Sequence, residues 1–126
     1  MRAIFLITCM ILPFLGMGQN IEKTTFKVYG ACGMCESRIE NAANSVDGVT
    51  SADWNQETMM LAIEFDADKV NLDHVHKIIA EAGHDTEKFR AKDEVYQALP
   101  ACCHYERPAK NKTEESDKSK GSCCSQ

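Results

Sequence analysis

Cysteine is the side chain whose types and spacing in this sequence point to chemistry. Cys32-Gly33-Met34-Cys35 places two thiols around two intervening residues, Cys102-Cys103 stand side by side before His104, and Cys123-Cys124 form a second adjacent pair. Thiolates are soft ligands that select Cu(I), and by the same softness Hg(II) or Ag(I). Two of them on a glycine-bearing loop suit a nearly linear, two-coordinate ion. An open edge with only two ligands also lets a partner's thiols attack that ion, so such a site passes metal on as readily as it holds it. A bare C-x-x-C is weak evidence, because redox proteins and zinc sites use it too. Structural zinc needs four closed ligands, and the core offers only Cys32 and Cys35, so Zn(II) ranks below Cu(I) and Hg(II).

The elements around the motif give it weight. Phe26 and Val28 share one face of a strand expected over roughly Lys23–Tyr29, and Gly30 to Gly33 break it. From Cys35 the period becomes helical, with Ile39, Ala42, Ala43 and Val46 on one stripe and Glu36, Arg38 and Glu40 outside it. Cys35 therefore lies near the first helical turn, where free backbone N–H groups and the helix dipole favour thiolate. Asp47-Gly48 stops the helix, Gly48 being suited to a left-handed cap. Val49, Ala52 and Trp54 mark a less regular strand, and Asn55 to Thr58 a polar turn. Leu61, Ile63 and Phe65 alternate cleanly with Met60, Ala62 and Glu64. Asn71 is a good N-cap for a second helix with Leu72, Val75, Ile78, Ile79 and Ala82 inside and Gly83 at its end. His74 and His76 are read as facing solvent. A short last strand is expected from about Asp85 to Phe89.

That order is strand–helix–strand twice over. The halves repeat in register, since Phe26 and Val28 stand as far before Leu61 and Ile63 as Gly48 stands before Gly83. Two such units predict an α+β fold, the ferredoxin-like βαββαβ sandwich: a four-stranded antiparallel sheet with two helices on one face.

With Gly30-Ala31-Cys32-Gly33-Met34-Cys35 set in this order, the segment from roughly Thr24 to Phe89 resembles the heavy-metal-associated domain family. Asp47-Gly48-Val49, the Ile63–Asp66 strand end and Ala82-Gly83 belong to the same likeness. The family includes copper chaperones, the soluble repeats of metal-pumping P-type ATPases, and exported mercury-binding proteins. The resemblance implies Cys32 and Cys35 as metal ligands, Cu(I) or Hg(II) as cargo, no enzymatic activity, and a metal transporter or another metal carrier as partner. The family's usual loop is Gly-Met-Thr-Cys-x-x-Cys; this one is a residue shorter and lacks the Met before the first Cys. Met34 is expected to fill space and not to ligate. His84 stands where the family often carries an aromatic residue or Lys near the loop, which makes it a candidate third ligand.

The alternative from another class is a thiol–disulfide redox protein using the same C-x-x-C. No proline lies between Pro13 and Pro100, so the cis-proline that thioredoxin-like sites place beside their cysteines has no candidate.

Beyond Phe89 the fold signal fades, apart from a short helix expected over Asp93–Leu99. Adjacent cysteines make a strained disulfide, so Cys102, Cys103 and His104 are read as a possible second metal site, within an extension over 91–108. Residues 109–126 are almost wholly polar or charged and are expected to be a disordered tail. Roughly 19 residues separate the two Cys-Cys pairs, a flexible span of ~25 Å, so Cys123 and Cys124 could join Cys102 and Cys103 or the main loop.

At the other end, Met1-Arg2 followed by an apolar run to Leu12, Pro13, and Gly16-Met17-Gly18 reads as a signal peptide over 1–18. Roughly 15 apolar-dominated residues fall short of the ~20 a spanning helix needs, so no membrane insertion of the mature chain is expected. The protein is then exported and periplasmic, with the metal-binding domain over 21–90. Cys9 leaves with the leader. The remaining cysteines sit beside their neighbours, where a bond closes only a tiny loop and removes little unfolded-state entropy, so they do not read as a disulfide framework. The 126-residue chain carries a formal charge of −5. It shows no Lys/Arg cluster of the kind that binds phosphates, which argues against a nucleic-acid partner. One domain of this size is read as a monomer.

Overall fold

The structure, a computed structural model, describes residues 18–109. Strand β1 (Ile21–Lys27) leads through the cysteine loop into helix α1 (Gly33–Asn44). Strands β2 (Val49–Asn55) and β3 (Met60–Asp66) form a hairpin, and helix α2 (Leu72–Glu81) follows. A short helix α3 (Asp93–Gln97) and a 3-10 turn (Ala101–Cys103) complete the described chain.

The sheet is antiparallel in the order β1-β3-β2, with Phe26 opposite Leu61 and Trp54 also opposite Leu61. This register puts Phe26, Trp54, Leu61, Ile63 and Phe65 on one buried face, where the alternation of β3 requires them. Ile39 and Ala43 of α1 and Val75 and Ile79 of α2 pack into the same core. The stripe of α1 also extends one turn back from Ile39 to Cys35, which is buried. The hairpin turn is held by Asn55, whose Oδ1 accepts from the backbone N–H of Glu57 and of Thr58, both at 3.0 Å.

Both glycine expectations hold in the backbone. Gly48 and Gly83 have φ of +98° and +104°, in the left-handed region. Gly83 N–H reaches Ala80 O at 3.0 Å and His84 N–H reaches Ile79 O at 3.3 Å, the paired bonds of a Schellman cap that ends α2. Asn71 caps the other end, its Oδ1 accepting from Asp73 N–H at 2.9 Å.

The expected fourth strand does not form. Three strands pair, and Asp85 to Phe89 contributes a single bridge, Val28 opposite Thr86, on the free edge of β1. Tyr29 N–H still donates to Asp85 O, and Glu87 N–H to Lys27 O, but pairing stops there. Thr86 turns the chain back on itself: its N–H donates to Phe89 O at 2.7 Å and its Oγ1 accepts from Phe89 N–H at 2.9 Å. Asp85 then draws the following segment inward by accepting from Ala91 N–H at 2.7 Å. Side-chain-to-backbone bonds at Asp85 and Thr86 thus replace a ladder. The first strand is also displaced from Lys23–Tyr29 to Ile21–Lys27, and α3 ends at Gln97 instead of Leu99.

His76 departs from its expected solvent-facing position. It is fully buried, with its ring 3.9 Å from the Phe26 ring, while His74 is exposed as expected. The segment after Phe89 also belongs to the core, since Ala91, Leu99 and Cys103 are buried. The signal peptide expected over 1–18 and the disordered tail expected over 109–126 lie, but for Gly18 and Ala109, outside the described residues, as do Cys9, Cys123 and Cys124.

Candidate metal centre

Cys32 is the N-cap residue of α1, with extended backbone, and its carbonyl accepts from Cys35 N–H at 2.9 Å and Glu36 N–H at 3.1 Å. Cys35 follows in the first turn, facing inward above Ile39. The loop before them is clamped from two sides. Gln56 Nε2 donates to Ala31 O at 3.1 Å, and Ala31 N–H points at Cys35 Sγ from 3.4 Å. Gly30 runs so close to the core that a Cβ there would lie 2.9 Å from the Trp54 ring and 3.1 Å from Cys35 Cβ. No side chain larger than hydrogen fits at that point.

The two thiols meet at 3.6 Å between Sγ atoms, one partly exposed and one fully buried. The Cys35 backbone amide at the helix start is the largest influence on Cys32 and lowers its thiol from the ordinary 9.0 to about 7, with partial burial working in the opposite direction. These amides face the sulfur without closing a cap hydrogen bond of ordinary geometry. A thiol in such surroundings is largely ready to lose its proton to a metal near neutral pH.

Cys102 and Cys103 come back over this loop. Cys103 is fully buried, and its Sγ lies 3.8 Å from Cys32 Sγ. The sulfurs of Cys32, Cys102 and Cys103 all fall within 4.8 Å of one another. All four cysteines are free thiols. Burial, and then the neighbouring Cys35 and Cys32 thiols, push Cys103 up to about 12. Met34 does not fill a gap: it is 53 % exposed, and its sulfur lies 3.6 Å from Cys102 Sγ.

The histidine candidates are placed differently. His84 is fully buried, and its Nδ1 lies 2.9 Å from Tyr29 O, a bond in which only the ring nitrogen can donate. Burial lowers its pKa, while the bond to Tyr29 O works in the opposite direction. His104 is exposed, stacks on Tyr96 at 5.0 Å between centroids, and has Nε2 3.1 Å from Leu99 O. Neither histidine joins a cluster of metal-ligating groups among the described residues.

Residues that carry no sequence signal hold the cluster in place. Arg107 makes a two-pronged bond to the buried Asp85 carboxylate, Nε to Oδ2 and Nη2 to Oδ1, each 2.7 Å. The Tyr105 hydroxyl donates to Gly83 O at 3.2 Å and accepts from Asp85 N–H at 2.7 Å. For Cys103 a signal of the thiol existed, though none of its burial. For Asp85, Tyr105 and Arg107 none did, because their partners are distant in sequence.

The profile of the heavy-metal-associated domain matches residues 25–85. The chain is 40% identical over 55 residues to the copper chaperone CopZ of Staphylococcus aureus (strain JH9), covering 44% of this chain and 81% of that protein. It is also similar to the solved structure of a CopZ metallochaperone, with 36% identity, a TM-score of 0.50, and coverage of 52% of this chain and 98% of the other. The structure of oxidized MerP from Ralstonia metallidurans CH34 matches with 28% identity and a TM-score of 0.51, covering 53% of this chain and 94% of that one. The chain belongs to the heavy-metal-associated domain family, and its α+β fold is the ferredoxin-like one of that family.

Proposed function

We propose that this protein binds Cu(I) through Cys32 and Cys35 and passes it to a metal transporter or another metal carrier, without catalysing a reaction. The observation that carries this is the pair of free thiols 3.6 Å apart at the start of α1, one buried and one reachable from outside. A buried sulfur retains the ion while the accessible one is exchanged for a partner's thiolate. Copper is favoured over mercury because the two CopZ proteins, at 40% and 36% identity, are copper chaperones or metallochaperones by name. Hg(II) is the second cargo, supported by the likeness to MerP and by the same soft ligands. The apolar leader over residues 1–18 supports action outside the cytosol, in the periplasm. Among the described residues no helix is long and apolar enough to cross a membrane. Nothing in the site or its relatives favours the thiol–disulfide alternative.

The test is anaerobic titration of the reduced protein with Cu(I), Hg(II) and Zn(II), with mass spectrometry for stoichiometry. Tight binding of one Cu(I), lost in Cys32→Ser/Cys35→Ser, is expected. A double variant that binds copper as tightly as wild type would overturn the proposal. Cell fractionation with N-terminal sequencing checks the location, a mature chain beginning at Gln19 being the expected product.

A further inference from the structure

The spacing of the sulfurs differs from what a two-coordinate ion requires. With metal–thiolate bonds of ~2.3 Å, two sulfurs across a linear ion stand ~4.6 Å apart, while three or four around one ion stand ~3.8–4.0 Å apart. Cys32 Sγ lies 3.6 Å from Cys35 Sγ and 3.8 Å from Cys103 Sγ, close to the edges of the more compact shell and well short of the linear span. Cys35 Sγ in turn faces the Cys103 carbonyl at 4.0 Å, so Cys103 closes over both members of the C-x-x-C pair.

This approach is built into the fold. Cys103 N–H donates to Pro100 O at 2.8 Å inside the 3-10 turn, and Leu99 anchors the entry by packing onto Gly83. On the exit side Tyr105 and Arg107 fasten the chain to Gly83 and Asp85 through the bonds described above. Cys103 is thus held from both sides, over a thiol pair that the family motif alone would leave open.

Resting on the metal-binding reading of Cys32 and Cys35, we propose that Cys103 is a third thiolate ligand, so that the soft ion sits in a three-sulfur shell capped by residues 99–107. The cap makes the site retentive. An ion bound by Cys32 and Cys35 alone is open to a partner's thiols, whereas the third thiolate must first be displaced before it can leave. Cys102, exposed beside Met34, has its sulfur within 4.8 Å of those of Cys32 and Cys103 and stands next to this shell on its solvent side.

The experiment loads the reduced full-length chain anaerobically with one equivalent of Cu(I) and counts sulfur ligands by X-ray absorption at the copper edge. Release to a competing Cu(I) chelator is then timed. Wild type and Cys102→Ser are expected to show three sulfurs. Cys103→Ser is expected to show two and to release copper roughly 10- to 100-fold faster, at least the effect of losing an outer-shell partner of a metal site. Tyr105→Phe keeps every thiol but loosens the cap, and is expected to release copper faster than wild type. Two sulfurs in wild type, or wild-type release from Cys103→Ser, overturns the third ligand. If Cys103→Ser does not fold, Tyr105→Phe decides, and unchanged release there overturns it. Cys32→Ser/Cys35→Ser separates the two readings. Loss of copper there with an unaltered Cys103→Ser sinks only the third ligand, while retention of copper there sinks the underlying function.

Discussion

The backbone amides at the start of α1 lower the Cys32 thiol to about 7, while burial raises Cys103, less than 4 Å away, to about 12. Alkylation requires both thiolate and access, and each unit of pKa changes the thiolate fraction about tenfold at a fixed pH well below it. A short iodoacetamide pulse at pH 7, followed by peptide mapping, should therefore modify Cys32 and exposed Cys102 well before buried Cys35 and Cys103. His76 titrates for a different reason. Neither ring nitrogen has a hydrogen-bond partner among the described residues, and burial against Phe26 and Phe89 lowers its pKa. Lys88 reinforces that shift, while Glu87 and Asp73 oppose it. Because the folded ring holds its proton less tightly than the unfolded one, the unfolded chain gains protons first as pH falls. Stability should be full above about 6.5, the unfolded value, and should decline progressively below it. His84 adds a shift of the same sign. His76→Leu is expected to flatten part of this decline in thermal melts between pH 5 and 8. It should also stabilise the neutral protein by about 1 kcal/mol, since burying unpaired polar groups costs ~1–3 kcal/mol and the lost ring contact offsets part of that.

At the scale of elements, the cysteine loop works because Gly30 lets the backbone pass between Trp54 and Cys35. Gly30→Ala must move the indole or the first turn of α1. A loss of about 1–3 kcal/mol in denaturant unfolding is expected, together with weaker Cu(I) binding in chelator competition. The capping segment depends on Arg107 in the same direct way. Arg107→Ala leaves the fully buried Asp85 carboxylate without its cation, which typically costs about 3–5 kcal/mol. The denaturation midpoint should fall accordingly, and Cys103 should become open to alkylation. Most of β3, α2 and their caps were legible in the sequence, because alternation, Asn71 and Gly83 act within a few residues of one another. The fourth strand fails to form because Asp85 and Thr86 commit their hydrogen-bonding groups to Ala91, Arg107 and Phe89. A competition of that kind has no local pattern. Cys103 was legible as a thiol and not as a buried one, since its burial depends on anchors from Gly83 to Arg107.

For the molecule as a whole, the four cysteines among the described residues gather at one end of the sandwich. They run from buried Cys35 and Cys103, through partly exposed Cys32, to exposed Cys102 beside Met34. The family motif accounts for Cys32 and Cys35, with Met34 between them, and the extension after α2 supplies Cys102 and Cys103. The close passage at Gly30 has one further consequence. Trp54 is the chain's single tryptophan, and it is buried, with its indole N–H donating to Val28 O at 3.0 Å. Its ring is therefore a rigid chromophore shielded from water, one backbone's width from Cys35. A heavy ion held at Cys35 quenches such an excited state by promoting intersystem crossing. Emission should be blue-shifted in the metal-free protein, dim in step with Hg(II) addition to an end point at one equivalent, and stay bright in Cys32→Ser/Cys35→Ser. The fold thus provides an internal optical gauge of how full its own metal site is.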